Sequence, residues 1–313
     1  MTPPHNSNLT PAATKLSTLL HRPGILVMPC CFDGMSARLV QDAGFPLTFM
    51  SGFAVSAARL GAPDTGLISY GEMLDQGRNI CAAVGIPVIG DGDTGYGNAM
   101  NVKRTVFGYG QAGFAAIMIE DQVAPKRCGH TRGKAVVDRD MACARIAAAV
   151  HARDEGAGIL ILARTDARAT HGLAEALWRA QAFADLGADI VFVEAPVSEA
   201  ELERVGKSVQ VPLLANMLED GDTPVVPPTR LAELGFKIAA YPVTLLNAAI
   251  GAMQAALSAL ETGATPAGLM SFAQLRKTVG FDAYDVQAAR YAEPGEASDT
   301  TDRSFLPPAP REA

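Results

Sequence analysis

Eight short apolar runs recur along the chain, and a segment of helical character separates each run from the next. The runs are Ile25–Pro29, Leu47–Ser51, Pro87–Gly90, Ala115–Glu120, Ile159–Arg164, Ile190–Glu194, Pro212–Asn216 and Ile238–Tyr241. Most are continuously apolar, which is typical of parallel strands covered on both faces. Eight strand–helix units favour a closed α/β fold, the (β/α)₈ barrel of TIM type, over an open doubly wound sheet with about six strands.

The segments between the runs predict the helices of this barrel. Ala174–Leu186 and Ser198–Val205 have helical patterns, and Gly187 is suited to end the first of them. We expect residues 1–15 to be a flexible lead and residues 16–292 to form one barrel domain with C-terminal helices. The proline-containing tail, residues 293–313, is expected to be flexible as well.

Polar or ionisable residues follow most of the apolar runs. They are Ser51, Asp91, Asp93, Glu120, Asp121, Arg164, Asp166, Glu194, Asn216 and Glu219. In a barrel of parallel strands these ends converge on one mouth, where active sites of this fold lie. The sequence therefore predicts a single active site built from many strands.

Composition limits the classes of partner and compartment. The net charge is -7 and no stripe of Lys and Arg occurs, which argues against a nucleic-acid partner. No apolar stretch has the length and character of a membrane span. The five cysteines lack CxxC spacing, and no charged-then-apolar leader precedes the first apolar run, so we expect a cytoplasmic protein.

A glycine-rich loop with two carboxylates, Asp91 and Asp93, follows the third run. Gly90–Gly95 formally matches GxGxxG, but two acidic side chains would repel a pyrophosphate and the strand is the third rather than the first. A Ca²⁺ loop is excluded because Gly95 and Val102 occupy positions that need oxygen ligands. Two interpretations remain, a Mg²⁺ site and a turn with solvated carboxylates.

Cys128 lies in a polar loop, Pro125–His130, beside three groups that can carry positive charge, Lys126, Arg127 and His130. Such neighbours stabilise a thiolate, so the thiol is a candidate acid or nucleophile, although free cysteine is most often a small buried apolar residue. Arg164 ends an apolar strand and needs an anionic partner. That partner is either a protein carboxylate, Asp166 or Glu194, or a substrate carboxylate.

Several ordered motifs resemble the isocitrate lyase and phosphoenolpyruvate mutase superfamily, from about Leu16 to Tyr291. The motifs are Ser51-Gly52-Phe53, Gly90–Gly95, Ile119–Gln122, Lys126–His130, Ala163–Asp166, Phe192–Ala195 and Asn216-Met217. Within the superfamily, the segment Asn216–Pro224 is similar to the dimethylmalate and alkylmalate lyases rather than the methylisocitrate lyases. Asp220 and Asp222 depart from that pattern.

The resemblance implies a barrel whose last helix is exchanged with a neighbouring subunit, in a homotetramer built as a dimer of swapped dimers. It also implies Mg²⁺, with Mn²⁺ as an alternative, near Asp91, Asp93 and Glu120. By likeness to the family, Cys128 protonates the enolate released by carbon–carbon cleavage. Mutases and oxaloacetate decarboxylases of the superfamily generally lack this cysteine, so its presence points to a lyase.

The expected substrate is a small 2-hydroxy dicarboxylate or α-oxo acid. Candidate catalytic residues are Cys128, Arg164, His130, Lys126 and Glu194, and candidate substrate-binding residues are Ser51, Gly52, Phe53, Asp64, Arg127, Gly129 and Asn216. The general base stays open among Glu120, Glu194, a metal-bound hydroxide and Tyr241. The alternative functions are a methylisocitrate lyase, an oxaloacetate hydrolase or decarboxylase, and a non-catalytic barrel that binds a metabolite.

Overall fold

The computed structural model describes residues 8–127 and 133–291, and its strands form one closed parallel barrel in chain order. The strands are β1 (Leu26–Cys31), β2 (Thr48–Met50), β3 (Val88–Asp91), β4 (Ala116–Glu120), β5 (Leu160–Thr165), β6 (Ile190–Val193), β7 (Leu213–Asn216) and β8 (Ile238–Tyr241). Pairing of β1 with β8, which places Leu26 opposite Ile238, closes the barrel. The predicted (β/α)₈ fold is confirmed.

Helices precede, connect and follow the strands. In the described residues they are α1 (Pro11–His21), α2 (Gly34–Asp42), α3 (Gly52–Leu60), α4 (Tyr70–Ala83), α5 (Ala99–Ala112), α6 (Arg139–Ala152), α7 (Ala167–His171), α8 (Leu173–Asp185), α9 (Glu199–Gly206), α10 (Pro228–Glu233), α11 (Thr244–Glu261), α12 (Phe272–Val279) and α13 (Phe281–Ala289). A π-helical turn, Arg153–Ala157, follows α6.

Each of the eight predicted strands is present, with ends within two residues of the expected ones. The two predicted helices are α8 and α9, each displaced by one residue. Ser198 begins α9 as its N-cap, because its Oγ accepts a hydrogen bond from the Glu201 N–H at 3.2 Å. Gly187 follows the end of α8 in the left-handed region, with φ of 98°.

Side chains of each strand alternate between the barrel interior and the layer beneath the helices. On β4, Ala116 and Met118 belong to the interior cluster, whereas Ile117 and Ile119 pack with the helices. The interior cluster also contains Leu16 and other buried side chains of α1. Continued one step further, the alternation directs Glu120 inward and the next residue, Asp121, outward.

The chain divides into two compact units, Met1–Gly251 and Ala252–Ala313. The first holds the barrel. The second contains α12 and α13, which have no buried residues and expose large apolar side chains such as Phe272 and Tyr284. In the described part of the chain, the helices are all too short or too polar to cross a membrane.

Candidate active site

The carboxyl ends of the strands surround a cavity of about 260 Å³, at the end of the barrel where this fold places active sites. Its polar and charged lining residues are Ser51, Asp64, Asp91, Glu120, Lys126, Arg127, Arg164, Glu194 and Asn216. Its apolar lining residues are Cys30, Phe49, Phe53, Met118, Phe192, Leu214, Leu218, Ala240, Pro242 and Val243. The cavity therefore joins a charged surface to an apolar wall.

The carboxylate of Asp91 is fixed at the end of β3 by two backbone N–H groups. Gly52 donates to Oδ2 at 3.1 Å and Asp93 donates to Oδ1 at 3.0 Å. A Cβ atom on Gly52 would lie 2.5 Å from Asp91 Oδ2, so this close approach requires glycine at the start of α3. Burial, followed by the neighbouring Asp93 carboxylate, raises the pKa of Asp91 to about 6.

Lys126 bridges two carboxylates beside Asp91. Its Nζ lies 2.6 Å from Asp64 Oδ2 and 2.8 Å from Asp93 Oδ1. Burial by itself would lower the pKa of Lys126, but Asp93, Asp91 and Asp64 outweigh burial and raise it. Burial raises the pKa of Asp64 despite the nearby ammonium. Lys126 is therefore a fixed cation, and it partly neutralises this acidic side of the cavity.

Arg164, near the end of β5, lies among three buried carboxylates. Its Nε lies 2.8 Å from Asp166 Oδ2, and its Nη2 lies 3.1 Å from Asp166 Oδ1 and from Glu194 Oε2. Glu120 Oε2 is 3.3 Å from Nε, and the Phe192 ring lies 5.1 Å from the guanidinium carbon. Burial opposes the charge of Arg164, but the three carboxylates outweigh it and raise its pKa. Both predicted protein partners are therefore present.

The remaining predicted lining residues come from strand ends and the α3 start. Asn216 donates a hydrogen bond to Glu194 Oε1 at 3.4 Å. Ser51 lines the cavity and caps α3 by accepting from the Ala54 N–H at 3.3 Å. Phe53 is also part of the lining.

The loop that follows β4 is described only in part. Arg127 lines the cavity, and its backbone N–H donates to Gln122 Oε1 at 2.9 Å. The predicted residues Cys128, Gly129 and His130 lie outside the described residues.

The predicted metal ligands differ in how they face the cavity. Asp91 and Glu120 line it, whereas Asp93 pairs with Lys126 and does not. Within residues 8–127 and 133–291, no group of three or more Asp, Glu, His or Cys side chains is arranged to hold a metal. Mg²⁺ often takes only one or two carboxylates and keeps several waters. Buried Glu120 Oε1, which lacks a hydrogen-bond partner among these residues, fits such a hydrated cation.

Asp121 does not line the cavity, contrary to its expected place among the strand-end residues that converge on the mouth. Its side chain points outward, as the alternation of β4 requires, and pairs with Arg179 at 3.0 Å. It also accepts a hydrogen bond from Thr165 Oγ1 at 2.6 Å. The adjacent residues Glu120 and Asp121 therefore serve opposite faces of the barrel wall.

Apart from Phe53, the apolar residues that line the cavity were not identified from the sequence. Leu214 precedes Asn216 by two residues, and Ala240 and Pro242 are two residues apart, so the period of two along β7 and β8 is the signal that locates them. Leu218 and Val243 lie in the loops beyond those strands and carry no comparable signal. Lys134, which pairs with Asp166 at 3.0 Å, was also missed.

The family model for phosphoenolpyruvate phosphomutase matches residues 16–261. This chain belongs to the phosphoenolpyruvate mutase and isocitrate lyase superfamily. A 2,3-dimethylmalate lyase of Eubacterium barkeri is 40% identical over 274 residues, covering 86% of this chain and 94% of that protein. A probable 2-methylisocitrate lyase of Corynebacterium glutamicum is 45% identical over 242 residues, covering 77% and 78%. Membership of this superfamily makes the chain an enzyme.

Solved structures of the superfamily share the whole barrel. A crystal structure of 2,3-dimethylmalate lyase has a TM-score of 0.87 at 36% identity, covering 93% of this chain and 99% of that one. Oxaloacetate acetylhydrolase bound to 3,3-difluorooxalacetate has a TM-score of 0.86 at 33% identity, covering 90% and 98%. Phosphonopyruvate hydrolase, solved with oxalate and Mg²⁺, has a TM-score of 0.79 at 28% identity, covering 91% and 100%.

Proposed function

We propose that this enzyme is a Mg²⁺-dependent lyase that cleaves an alkyl-substituted 2-hydroxy dicarboxylate into an α-oxo acid and a second carboxylate. The observation that carries the proposal is the two-sided cavity. Asp91, Glu120 and Arg164 reach it from the neighbouring strands β3, β4 and β5, whereas apolar side chains such as Leu214 and Pro242 reach it from β7 and from just after β8. A substrate that is charged at its ends and apolar at a side group matches both surfaces.

Asp91 and Glu120 would hold the cation, since both carboxylates line the cavity. Burial raises the pKa of both groups, and a bound cation would favour their ionised forms. A bound divalent cation supplies Lewis-acid stabilisation of negative charge on a substrate oxygen. Arg164 would bind a substrate carboxylate and fix its orientation. Its contacts with Asp166 and Glu194 hold the guanidinium in place before substrate arrives.

Cleavage begins with loss of the proton of the 2-hydroxyl group. Glu120 and Glu194 are the candidate bases, because both carboxylates face the cavity. Tyr241 is a poorer candidate, since burial and then Glu219 raise its pKa and disfavour a tyrosinate. The hydroxyl oxygen becomes the carbonyl oxygen of the α-oxo acid as the bond between C2 and C3 breaks.

The electron pair of the broken bond passes to C3 and forms a carboxylate enolate. Arg164 and Asn216 would stabilise its developing charge, at about 3 to 4 kcal/mol for each well-placed donor. The thiol of Cys128 would then deliver a proton to C3, with His130 and Lys126 supplying positive charge nearby. With 2,3-dimethylmalate the products would be pyruvate and propionate, which together contain all atoms of the substrate.

A coupled assay for pyruvate tests the lyase proposal. Purified enzyme with Mg²⁺ is given 2,3-dimethylmalate, 2-methylisocitrate or oxaloacetate, and a parallel sample contains a chelator. We expect pyruvate from one of the first two substrates and its loss on chelation. Turnover that persists after complete metal removal would contradict the Mg²⁺ dependence.

The role of Cys128 has its own test. Cys128→Ser is expected to lose most turnover while it still binds pyruvate or oxalate, because serine is a far weaker acid. Cys143→Ser is the matched control, since Cys143 lies on α6 and does not line the cavity. Equal turnover of the two variants would remove Cys128 from the mechanism.

A second candidate function is cleavage of oxaloacetate, by hydrolysis to oxalate and acetate or by decarboxylation. The similarity to oxaloacetate acetylhydrolase at a TM-score of 0.86 favours it. Product analysis by NMR separates the three reactions, because hydrolysis yields oxalate and acetate, decarboxylation yields pyruvate and CO₂, and the lyase leaves oxaloacetate intact. Turnover of oxaloacetate alone would replace the lyase proposal.

We further propose a homotetramer in which C-terminal helices are exchanged between subunits. The exposed apolar side chains of α12 and α13, including Phe272, Leu275, Tyr284 and Val286, support a second copy as their cover. Light scattering after gel filtration is expected to give four times the 32.7 kDa chain mass. Phe272→Glu is expected to lower the mass, and a monomeric wild type would contradict the assembly.

The thiols support a reducing compartment, and we propose the cytoplasm. Cys30, Cys31, Cys81 and Cys143 are free thiols. Fractionation of cells that express the full chain tests this location.

A further inference from the structure

Asp121 joins three elements behind the wall of the cavity. Its Oδ1 accepts a hydrogen bond from the Asp166 backbone N–H at 2.9 Å. Its Oδ2 accepts from Thr165 Oγ1 at 2.6 Å and from Arg179 Nη1 at 3.0 Å. Asp121 is 2% exposed, so these contacts are made away from water. One carboxylate therefore fixes the end of β5 to the end of β4 and to α8.

Arg179 completes this network from α8. Its Nη2 donates to the Val137 carbonyl at 2.9 Å, and its Nε donates to Glu175 Oε1 at 2.9 Å. The guanidinium is buried and donates hydrogen bonds through Nε, Nη1 and Nη2, which a lysine ammonium cannot reproduce. Arg179 therefore gives Asp121 a fixed partner of opposite charge.

Asp166 connects the network to the cavity. Its backbone is held by Asp121, while its carboxylate accepts two hydrogen bonds from Arg164 and one from Lys134. Burial alone would raise the pKa of Asp166, but Arg164 and then Lys134 outweigh it and lower the pKa. Asp166 is thus a fixed anion between Asp121 and the guanidinium that faces the cavity.

We propose that Arg179 and Asp121 are positioning residues for Arg164 and act on it through Asp166. Neither side chain lines the cavity, yet the backbone contact of Asp121 sets where the Asp166 carboxylate meets the guanidinium. A small displacement of such a group lowers catalysis strongly when the reaction needs exact orientation. The catalytic part of the proposal rests on the proposed lyase function.

A second Arg–Asp pair at the opposite end of β5 provides the matched control. Arg153 Nη1 lies 2.8 Å from Asp189 Oδ2, and this oxygen accepts the Ile161 backbone N–H at 2.8 Å. Both pairs therefore hold a backbone N–H at one end of the same strand through an aspartate. They differ in position, since Ile161 lies near the start of β5 and Asp166 follows its end.

The experiment compares Asp121→Asn with Asp189→Asn in the full chain. Thermal melting and gel filtration first establish that both variants are folded. We expect Asp121→Asn to lower kcat/KM about tenfold to 100-fold, whereas Asp189→Asn stays within about twofold of the wild type. If Asp121 had a merely structural role, the two variants would lose kcat/KM in proportion to their loss of melting temperature. That result would overturn the proposal.

A double-mutant cycle with Arg164→Lys tests whether the effect passes through Arg164. In the Arg164→Lys background, Asp121→Asn is expected to change kcat/KM by less than about twofold, because the guanidinium it positions is gone. Independent losses that multiply in the double variant would overturn the proposal. If Asp121→Asn does not fold, Thr165→Val replaces it, since it removes one contact to Asp121 and preserves volume.

Failure of the lyase function would be distinguishable from failure of this inference. If the wild type turns over none of the three substrates, crystal structures of the wild type and Asp121→Asn supply the readout. An Arg164 guanidinium that leaves both Asp166 oxygens in the variant supports the positioning pair. An unchanged contact between Arg164 and Asp166 overturns it.

Discussion

The two ends of the barrel are closed by different chemistry. At the amino ends of the strands, α1 packs Ala13, Leu16 and Leu20 into the interior cluster. At the carboxyl ends, buried side chains such as Arg164 and Lys126 are surrounded by carboxylates. Apolar burial stabilises a fold, whereas buried ion pairs contribute little net stability and provide fixed charge. Stability and chemistry therefore reside at opposite ends of the same strands.

The largest expected effect on catalysis comes from substituting Arg164 at the charged, carboxyl end of the barrel. Lysine keeps the charge but cannot contact Asp166 through two nitrogens and Glu194 at the same time. We expect Arg164→Lys to lower kcat/KM about 10²-fold to 10³-fold, with a small change in melting temperature. Steady-state kinetics and calorimetry measure the two quantities. If Arg164→Lys lowers the melting temperature but retains kcat/KM, the carboxyl end of the barrel contributes stability rather than catalysis.

The opposite end is tested by Leu16→Ala. Leu16 is fully buried against the strand starts, so its truncation is expected to cost about 3 kcal/mol of unfolding free energy. Activity of the folded variant, assayed well below its melting temperature, should stay within about twofold of the wild type. Urea unfolding gives the free energy. A loss of kcat/KM without a loss of stability would show that the two ends are coupled.

A smaller effect separates the charged surface of the cavity from its apolar wall. Leu218 lines the wall, and Leu218→Ala enlarges it without touching the charged groups. We expect the ratio of kcat/KM for a longer over a shorter 2-alkyl group to rise about tenfold. Parallel assays with substrates that differ by one methylene measure this ratio. An unchanged ratio would place the substrate's alkyl group elsewhere.

The smallest effect concerns the ion pairs that support the mouth from outside. Arg139 and then Arg179 lower the pKa of Glu175 to about 2. Because the folded-state pKa lies below the ordinary value of about 4.5, this stabilisation is present above that pH and disappears as pH falls towards 2. At pH 7 we expect Glu175→Gln to cost about 1 kcal/mol.

Urea unfolding at several pH values checks the Glu175 prediction. The difference between the wild type and Glu175→Gln should shrink as pH decreases from about 5 to 3, because Glu175 is then increasingly protonated in the unfolded chain while it stays ionised in the folded one. A difference that is constant with pH would show that packing, rather than charge, is what the substitution removes.

Strand positions and the closed barrel could be predicted because continuous apolar runs report burial directly. The eight runs match the eight strands within two residues at each end. The direction in which a single side chain points was harder to predict, as Glu120 and Asp121 show. Both are acidic and follow the same run, and only the alternation of β4 sends one into the cavity and the other towards Arg179.

Motifs also located most of the charged cavity residues. Asp91, Glu120, Lys126, Arg164 and Glu194 were candidates from the sequence, and all five line the cavity. Pairings across long sequence distances were not accessible in the same way. Lys126 with Asp64, and Lys134 with Asp166, are brought together only when the strands close into a barrel.

Local sequence was enough to predict the strand order, the end of each strand that carries polar groups, and the family to which the chain belongs. These properties depend on local hydrophobic pattern and on short motifs. Only the tertiary structure shows which carboxylates surround Lys126 and Arg164 and which residues form the apolar wall. It also placed two similar Arg–Asp pairs at opposite ends of β5. Those arrangements depend on distances between segments far apart in the chain, and barrel closure alone fixes such distances.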